Sequence, residues 1–101
     1  MTPRSTTDQE RRCVRVRIEG RVQGVGFRAF VQREALARGV DGCVRNRRDG
    51  GVEAVFAASP DVIDAMLDAC RRGPRGSRVD MLKVLDEVDD VAIGFATHAT
   101  V

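Results

Sequence analysis

The chain has no tryptophan and no tyrosine, and its only aromatic residues are four phenylalanines. A sheet that reads RNA stacks bases on exposed aromatic rings. Here Phe27 and Phe30 fall in a helical stretch, and Phe56 and Phe95 follow the alternation of a core, which disfavours RNA binding despite a compatible element order. Histidine is equally scarce. His98, near a C-terminus expected to fray, is the single one, so no Ser/His or Cys/His relay can be assembled around it. The three cysteines, Cys13, Cys43 and Cys70, contain no CxxC pair. An odd, scattered set closes neither a disulfide framework nor a zinc site, and a reducing compartment fits it better.

No apolar run is long enough to cross a bilayer, and the first twelve residues lack the apolar centre of a signal peptide. They read as a disordered polar tail on a cytoplasmic protein, with residues 13–101 forming one domain. The net charge is only +2, with both signs mixed along the chain, so no stripe for nucleic acid or membrane is indicated. Lys83 is the lone lysine, and the arginine bias by itself carries no functional meaning.

What is present is periodic. Val14, Val16 and Ile18 alternate with Arg15, Arg17 and Glu19, a period of two that predicts a strand with one buried face. Residues 27 to 38 read as a helix with Phe27, Phe30, Val31 and Ala35 on one side and Gly39 as its stop, although Glu34 and Arg38 interrupt the stripe. Two β-prone runs, 42 to 48 and 51 to 57, flank Asp49-Gly50, a hairpin signal. Ser59 and Pro60 open a second helix, whose apolar positions Val62, Ile63, Met66, Leu67 and Cys70 recur at helical spacing before Arg71, Arg72 and Gly73. A further strand is expected from Val79 to Leu85, and the alternation of Val91, Ile93 and Phe95 suggests a last one. The order βαββαβ predicts an α+β, ferredoxin-like sandwich with two helices on one face of an antiparallel sheet.

Between the first strand and the first helix stands Gly20-Arg-Val-Gln-Gly-Val-Gly-Phe-Arg28. A strand–loop–helix turn aims backbone N–H groups and the positive end of a helix at one point, which holds an anion without a metal. Glycines at such spacing also occur in plain turns, where they supply only positive φ. The segment lacks the Gly-Lys-Ser/Thr of a Walker A loop and the spacing of a dinucleotide fingerprint, so a small phosphate group is the better fit. Arg28 lies in the first turn, where a cation is mildly unfavourable unless an anion accompanies it, and its guanidinium can hold two oxygens at once. Asn46 precedes the hairpin turn, a frequent turn-forming position; its neutral carboxamide can also orient a water beside a phosphate.

The blocks Gly20–Arg28, Gly42-Cys-Val-Arg-Asn46 and Asp49-Gly-Gly-Val-Glu53 together resemble the acylphosphatase family, from about Val14 to the C-terminus. The resemblance implies a ferredoxin-like enzyme that hydrolyses acyl phosphates to a carboxylate and inorganic phosphate, with no metal or organic cofactor. It assigns phosphoryl binding to Arg28 and to the loop Val22, Gln23, Gly24, Val25, Gly26 and Phe27, and water positioning to Asn46. Cys43 departs from the pattern, since the family usually has tryptophan there. The expected partners are a small acyl phosphate and its phosphate product, with no nucleic acid or membrane, acting on a monomer. The alternative is a non-catalytic module of the same family that binds phosphate or a partner.

Overall fold

The computed structural model describes residues 11–89 and 91–101. Five strands and two helices follow one another as β1 (Arg12–Arg21), α1 (Phe27–Arg38), β2 (Asp41–Asn46), β3 (Val52–Ala58), α2 (Pro60–Arg72), β4 (Arg78–Glu87) and β5 (Phe95–Thr97). β1 starts at Arg12, inside the segment expected to be tail; residues 1–10 of that segment lie outside the described residues.

The strands form one sheet in the order β4-β1-β3-β2-β5. β1 pairs antiparallel with both β3 and β4, and β3 pairs antiparallel with β2. This is the ferredoxin-like α+β sandwich expected from the element order. The alternation in β1 sends Val14, Val16 and Ile18 into the core, where they meet Phe56, Ala54 and Val52 of β3. The helices close that face. α1 contributes Phe27, Val31 and Ala35, while α2 buries Ile63, Met66, Leu67, Ala69 and Cys70. Phe30 packs only partly against the core, and Leu36 is 61% exposed, in keeping with the imperfect stripe of α1. Among the described residues every fully buried side chain is apolar. Burying a side chain the size of Phe56 or Ile63 stabilises the fold by about 1.5–3 kcal/mol each, so this layer dominates the energetics.

The last strand differs from expectation. Val91 and Ile93 are not in it, and Ile93 is 90% exposed. The extended run is broken at Gly94, whose φ is +101°, and the strand forms only from Phe95 onward. It also pairs parallel to β2 rather than antiparallel, giving Gly42↔Phe95 and Val44↔Thr97. The reason is topological. β4 ends beside the start of β1, and the described residues 91–94 lie at that same end of the sheet, where the chain enters the opposite edge in the direction of β2. Val88 N–H to the Cys13 carbonyl (2.9 Å) and Gly42 N–H to the Gly94 carbonyl (2.8 Å) hold the chain there.

Two glycines make this sheet possible. Gly42 has φ +137°, and a Cβ there would sit 1.8 Å from the Val55 carbonyl oxygen. Gly20 has φ +133°, and its Cβ would lie 2.1 Å from the Arg78 carbonyl oxygen, at a register shift between β1 and β4. Gly20 therefore serves strand pairing rather than the loop that follows it.

Candidate active site

The loop Val22–Gly26 leaves the end of β1 and enters α1 at Phe27. Gly26 is the N-cap residue, with φ +76°, and no side chain caps the helix there. Gly24 adopts φ +74°. A Cβ built at either glycine would meet nothing within 4 Å, so their role is conformational and the space in front of them is open. Among the described residues, no acceptor takes the backbone N–H of Gln23, Gly24, Val25, Gly26 or Phe27. Consecutive unpaired amides at the positive end of a helix are the preformed half of an anion site.

Gln23, Gly24, Gly26 and Phe27 line a cleft of about 450 Å³, together with Arg28, Ala29 and Gln32 from α1, Asn46 from the end of β2 and Thr97 from β5. Arg28 and Asn46, eighteen positions apart by their numbers, thus share one cavity. The register explains how. β2 lies on the α1 side of the sheet and ends at Asn46, while α1 runs back over it, so the end of the strand and the first turn of the helix meet at the same rim.

Arg28 is half-buried, and its guanidinium donates one hydrogen bond through an Nη to the His98 carbonyl oxygen at 3.1 Å. That bond fixes one corner of the fork and leaves the remaining N–H groups for an anion. The backbone of Asn46 is held too, since its carbonyl accepts from Val101 N–H at 3.2 Å. Its carboxamide has no protein partner among the described residues.

Not every predicted loop residue serves the cleft in the same way. Val22 is buried and forms part of the floor, and Phe27 anchors the helix in the core. Val25 instead packs against the core and is absent from the cleft wall, so only its amide faces the question of a ligand. Gln23 turns its side chain to the β2–β3 hairpin. Three groups were not anticipated: Gln32, Thr97 and the His98 carbonyl. Gln32 stands one helical turn after Arg28, a spacing that puts both on one face and could have identified it. Thr97 and His98 depend on the parallel pairing of β5, which no local pattern encodes.

A larger groove, about 620 Å³, lies on the far side of the sheet between Cys43, Val55 and the segment that includes Val91 and Ile93. It is apolar and holds neither Arg28 nor Asn46, so the smaller cleft is the candidate site. Cys43 is part of this groove, and burial pushes its thiol above the ordinary range. Burial raises the Cys70 thiol further, to about 12. Neither is an activated nucleophile. Among the described residues no group of three or more His, Cys, Asp or Glu side chains is arranged to hold a metal ion, and no helix is long and apolar enough to cross a membrane.

Comparison with known proteins agrees with this fold. The sequence model of the acylphosphatase family matches residues 14–97. An acylphosphatase of Bradyrhizobium diazoefficiens is 56% identical over 69% of this chain and 71% of its own length. An acylphosphatase of Azorhizobium caulinodans is 48% identical over 83% of this chain and 91% of its own. The crystal structure of acylphosphatase from Bacillus subtilis superimposes with a TM-score of 0.80 at 35% identity, covering 85% of this chain and 97% of that one. With the fold, the glycine loop and the Arg28–Asn46 cleft all present, the chain belongs to the acylphosphatase family.

Proposed function

We propose that the chain hydrolyses acyl phosphates by direct attack of water on phosphorus, with Arg28 and the loop amides binding the phosphoryl group and Asn46 orienting the water. The observation that carries this reading is the shared cleft: unpaired loop amides, a half-tethered guanidinium and an unpaired carboxamide converge on one cavity.

The chemistry fits so sparse an inventory. The leaving group is a carboxylate, whose conjugate acid has a pKa of about 4, so it departs without a proton. Phosphoryl transfer then requires positioning and charge stabilisation, with attacking and leaving oxygens in line. Water forms the new P–O bond, the bond from phosphorus to the acyl oxygen breaks, and a phosphoryl oxygen takes the water's proton. The products are a carboxylate and dihydrogen phosphate, and the charge balances without an enzyme acid. Asn46 suits its role because a neutral amide accepts from water without repelling the anion.

The reading extends to a monomer that works on a small molecule in a reducing compartment, in keeping with three free cysteines. Turnover of benzoyl phosphate by the purified chain, with Arg28→Ala and Asn46→Ala variants alongside, tests it. Hydrolysis that collapses in both variants is expected. Phosphate binding without turnover in the parent chain would favour the non-catalytic module instead.

A further inference from the structure

Gln23 sits in the loop, yet its side chain points across to the hairpin that follows Asn46. Its Nε2 donates to the Arg47 carbonyl at 2.8 Å and to the Gly51 carbonyl at 2.9 Å. A carboxamide has two N–H donors, so both are engaged. The two acceptors face each other across the mouth of the hairpin, where Arg47 N–H also bonds the Gly51 carbonyl at 2.8 Å. Arg47 is the neighbour of Asn46 in sequence. One side chain of the phosphate loop is thus bonded to both arms of the turn that carries the water-orienting residue.

The hairpin mouth is held from its other face as well. Arg17 donates to Asp49 at 2.8 Å, and the same carboxylate oxygen accepts from Gly51 N–H at 3.1 Å. The guanidinium lies over Gly51 so closely that a Cβ there would be 2.5 Å from it. With Arg17 fixing the hairpin to β1, Gln23 is the direct tie from the loop to the hairpin. Val22, Val25 and Phe27 anchor the loop to the core, but among the described residues no hydrogen bond other than those of Gln23 joins it to the hairpin, and Gly24 and Gly26 face open space.

We infer that Gln23 is a positioning residue: it sets the separation between the phosphoryl cradle and Asn46, and so the alignment of water with phosphorus. The inference rests on the water-orienting reading of Asn46. It separates binding from catalysis, because Arg28 and the loop amides remain in place when the tie is cut. A misplacement of about 1 Å at a reacting centre can cost on the order of 10²-fold in rate.

The test is steady-state hydrolysis of benzoyl phosphate by Gln23→Ala, Gln23→Met and Gln23→Glu, with inorganic phosphate as the inhibitor that reports binding. For Ala and Met, kcat should fall by at least about tenfold, while KM and the phosphate inhibition constant stay within about threefold. Gln23→Glu sets a carboxylate against two carbonyls; its kcat should recover as pH falls and the protonated acid regains one donor, a slope the parent enzyme lacks. In an Asn46→Ala background, Gln23→Ala should add less than about a twofold loss, because the two act through one step. Losses that multiply, phosphate affinity that falls in step with kcat, or a folded Gln23→Met enzyme at parental kcat would each overturn the inference. Full activity in Asn46→Ala alone would instead sink the underlying reading of Asn46, whatever Gln23 does.

Discussion

Replacing Arg28 separates its charge from its shape. One guanidinium Nη is tied to the His98 carbonyl at 3.1 Å, and the proposed role has the rest of the fork meet two phosphoryl oxygens. Each such charge-assisted hydrogen bond contributes about 1.5–3 kcal/mol. Removing both in Arg28→Ala therefore costs about 3–6 kcal/mol in transition-state stabilisation, or roughly 10²–10⁴ in kcat/KM at about 1.4 kcal/mol per decade. Arg28→Lys keeps the charge but presents a point donor, so it should recover one contact and remain about 10–10²-fold below the parent. Stability should change little in either variant, because the side chain is only half-buried and its one internal bond is worth about 1 kcal/mol. The assay is initial-rate hydrolysis of benzoyl phosphate, followed by phosphate release. Arg28→Lys at more than half the parental kcat/KM would refute the bidentate geometry, and Arg28→Ala within about tenfold would remove Arg28 from the site altogether.

Other outcomes follow from the packing and the titrating groups. Gly42→Ala forces a Cβ to within 1.8 Å of a backbone oxygen at φ +137°, so it should lose about 3 kcal/mol or more by urea midpoint; Gly50→Ala, at φ +100° in open space, should lose only about 1 kcal/mol. Equal midpoints for the two would contradict the close approach of β2 and β3. Asp49, Asp80 and Asp86 are held below the usual carboxylate range, chiefly by hydrogen bonds from Arg17, Arg78 and Arg15. A depressed folded pKa stabilises above the unfolded value of about 3.9 and is lost as pH falls through the folded one, so Tm should stay level down to about pH 5 and fall below about pH 4. High salt should flatten that fall, and a Tm that rises on acidification would reverse the sign. In the native state, thiol reagents should leave Cys70 untouched and modify Cys43 slowly, since burial raises both thiols. Rapid stoichiometric inactivation through Cys43 would show an activation that its apolar surroundings do not supply.

Much of this molecule was legible because its signals are local. Val14, Val16 and Ile18 alternate and are all buried, and Ser59-Pro60 opens α2 as expected. Asp49-Gly50 closes the β2–β3 hairpin, with Gly50 N–H returning to the Arg47 carbonyl at 3.1 Å. The glycine loop and Arg28 were readable for the same reason, lying in one contiguous segment. Asn46 was not assignable from position alone, because its use depends on β2 ending beside the first turn of α1. The end of the chain misled. Val91, Ile93 and Phe95 alternate, but Gly94 breaks the run, and β5 forms where it can pair with β2, a contact set by crossing the whole sheet. The same nonlocal pairing delivers Thr97 and the His98 carbonyl to the cleft. Gln23 shows the limit from the other side: its place in the loop was plain, whereas its bonds to Arg47 and Gly51 required the fold.

In the proposed reaction water attacks phosphorus directly, with no covalent intermediate on the enzyme. The stereochemical course at phosphorus tests it, using an acyl phosphate made chiral with oxygen isotopes and a sulfur label and hydrolysed in isotopically labelled water. A single in-line displacement inverts the configuration, and inversion is the expected result. Retention would mean two successive displacements through a phosphorylated side chain, and would contradict the roles given to Arg28 and Asn46.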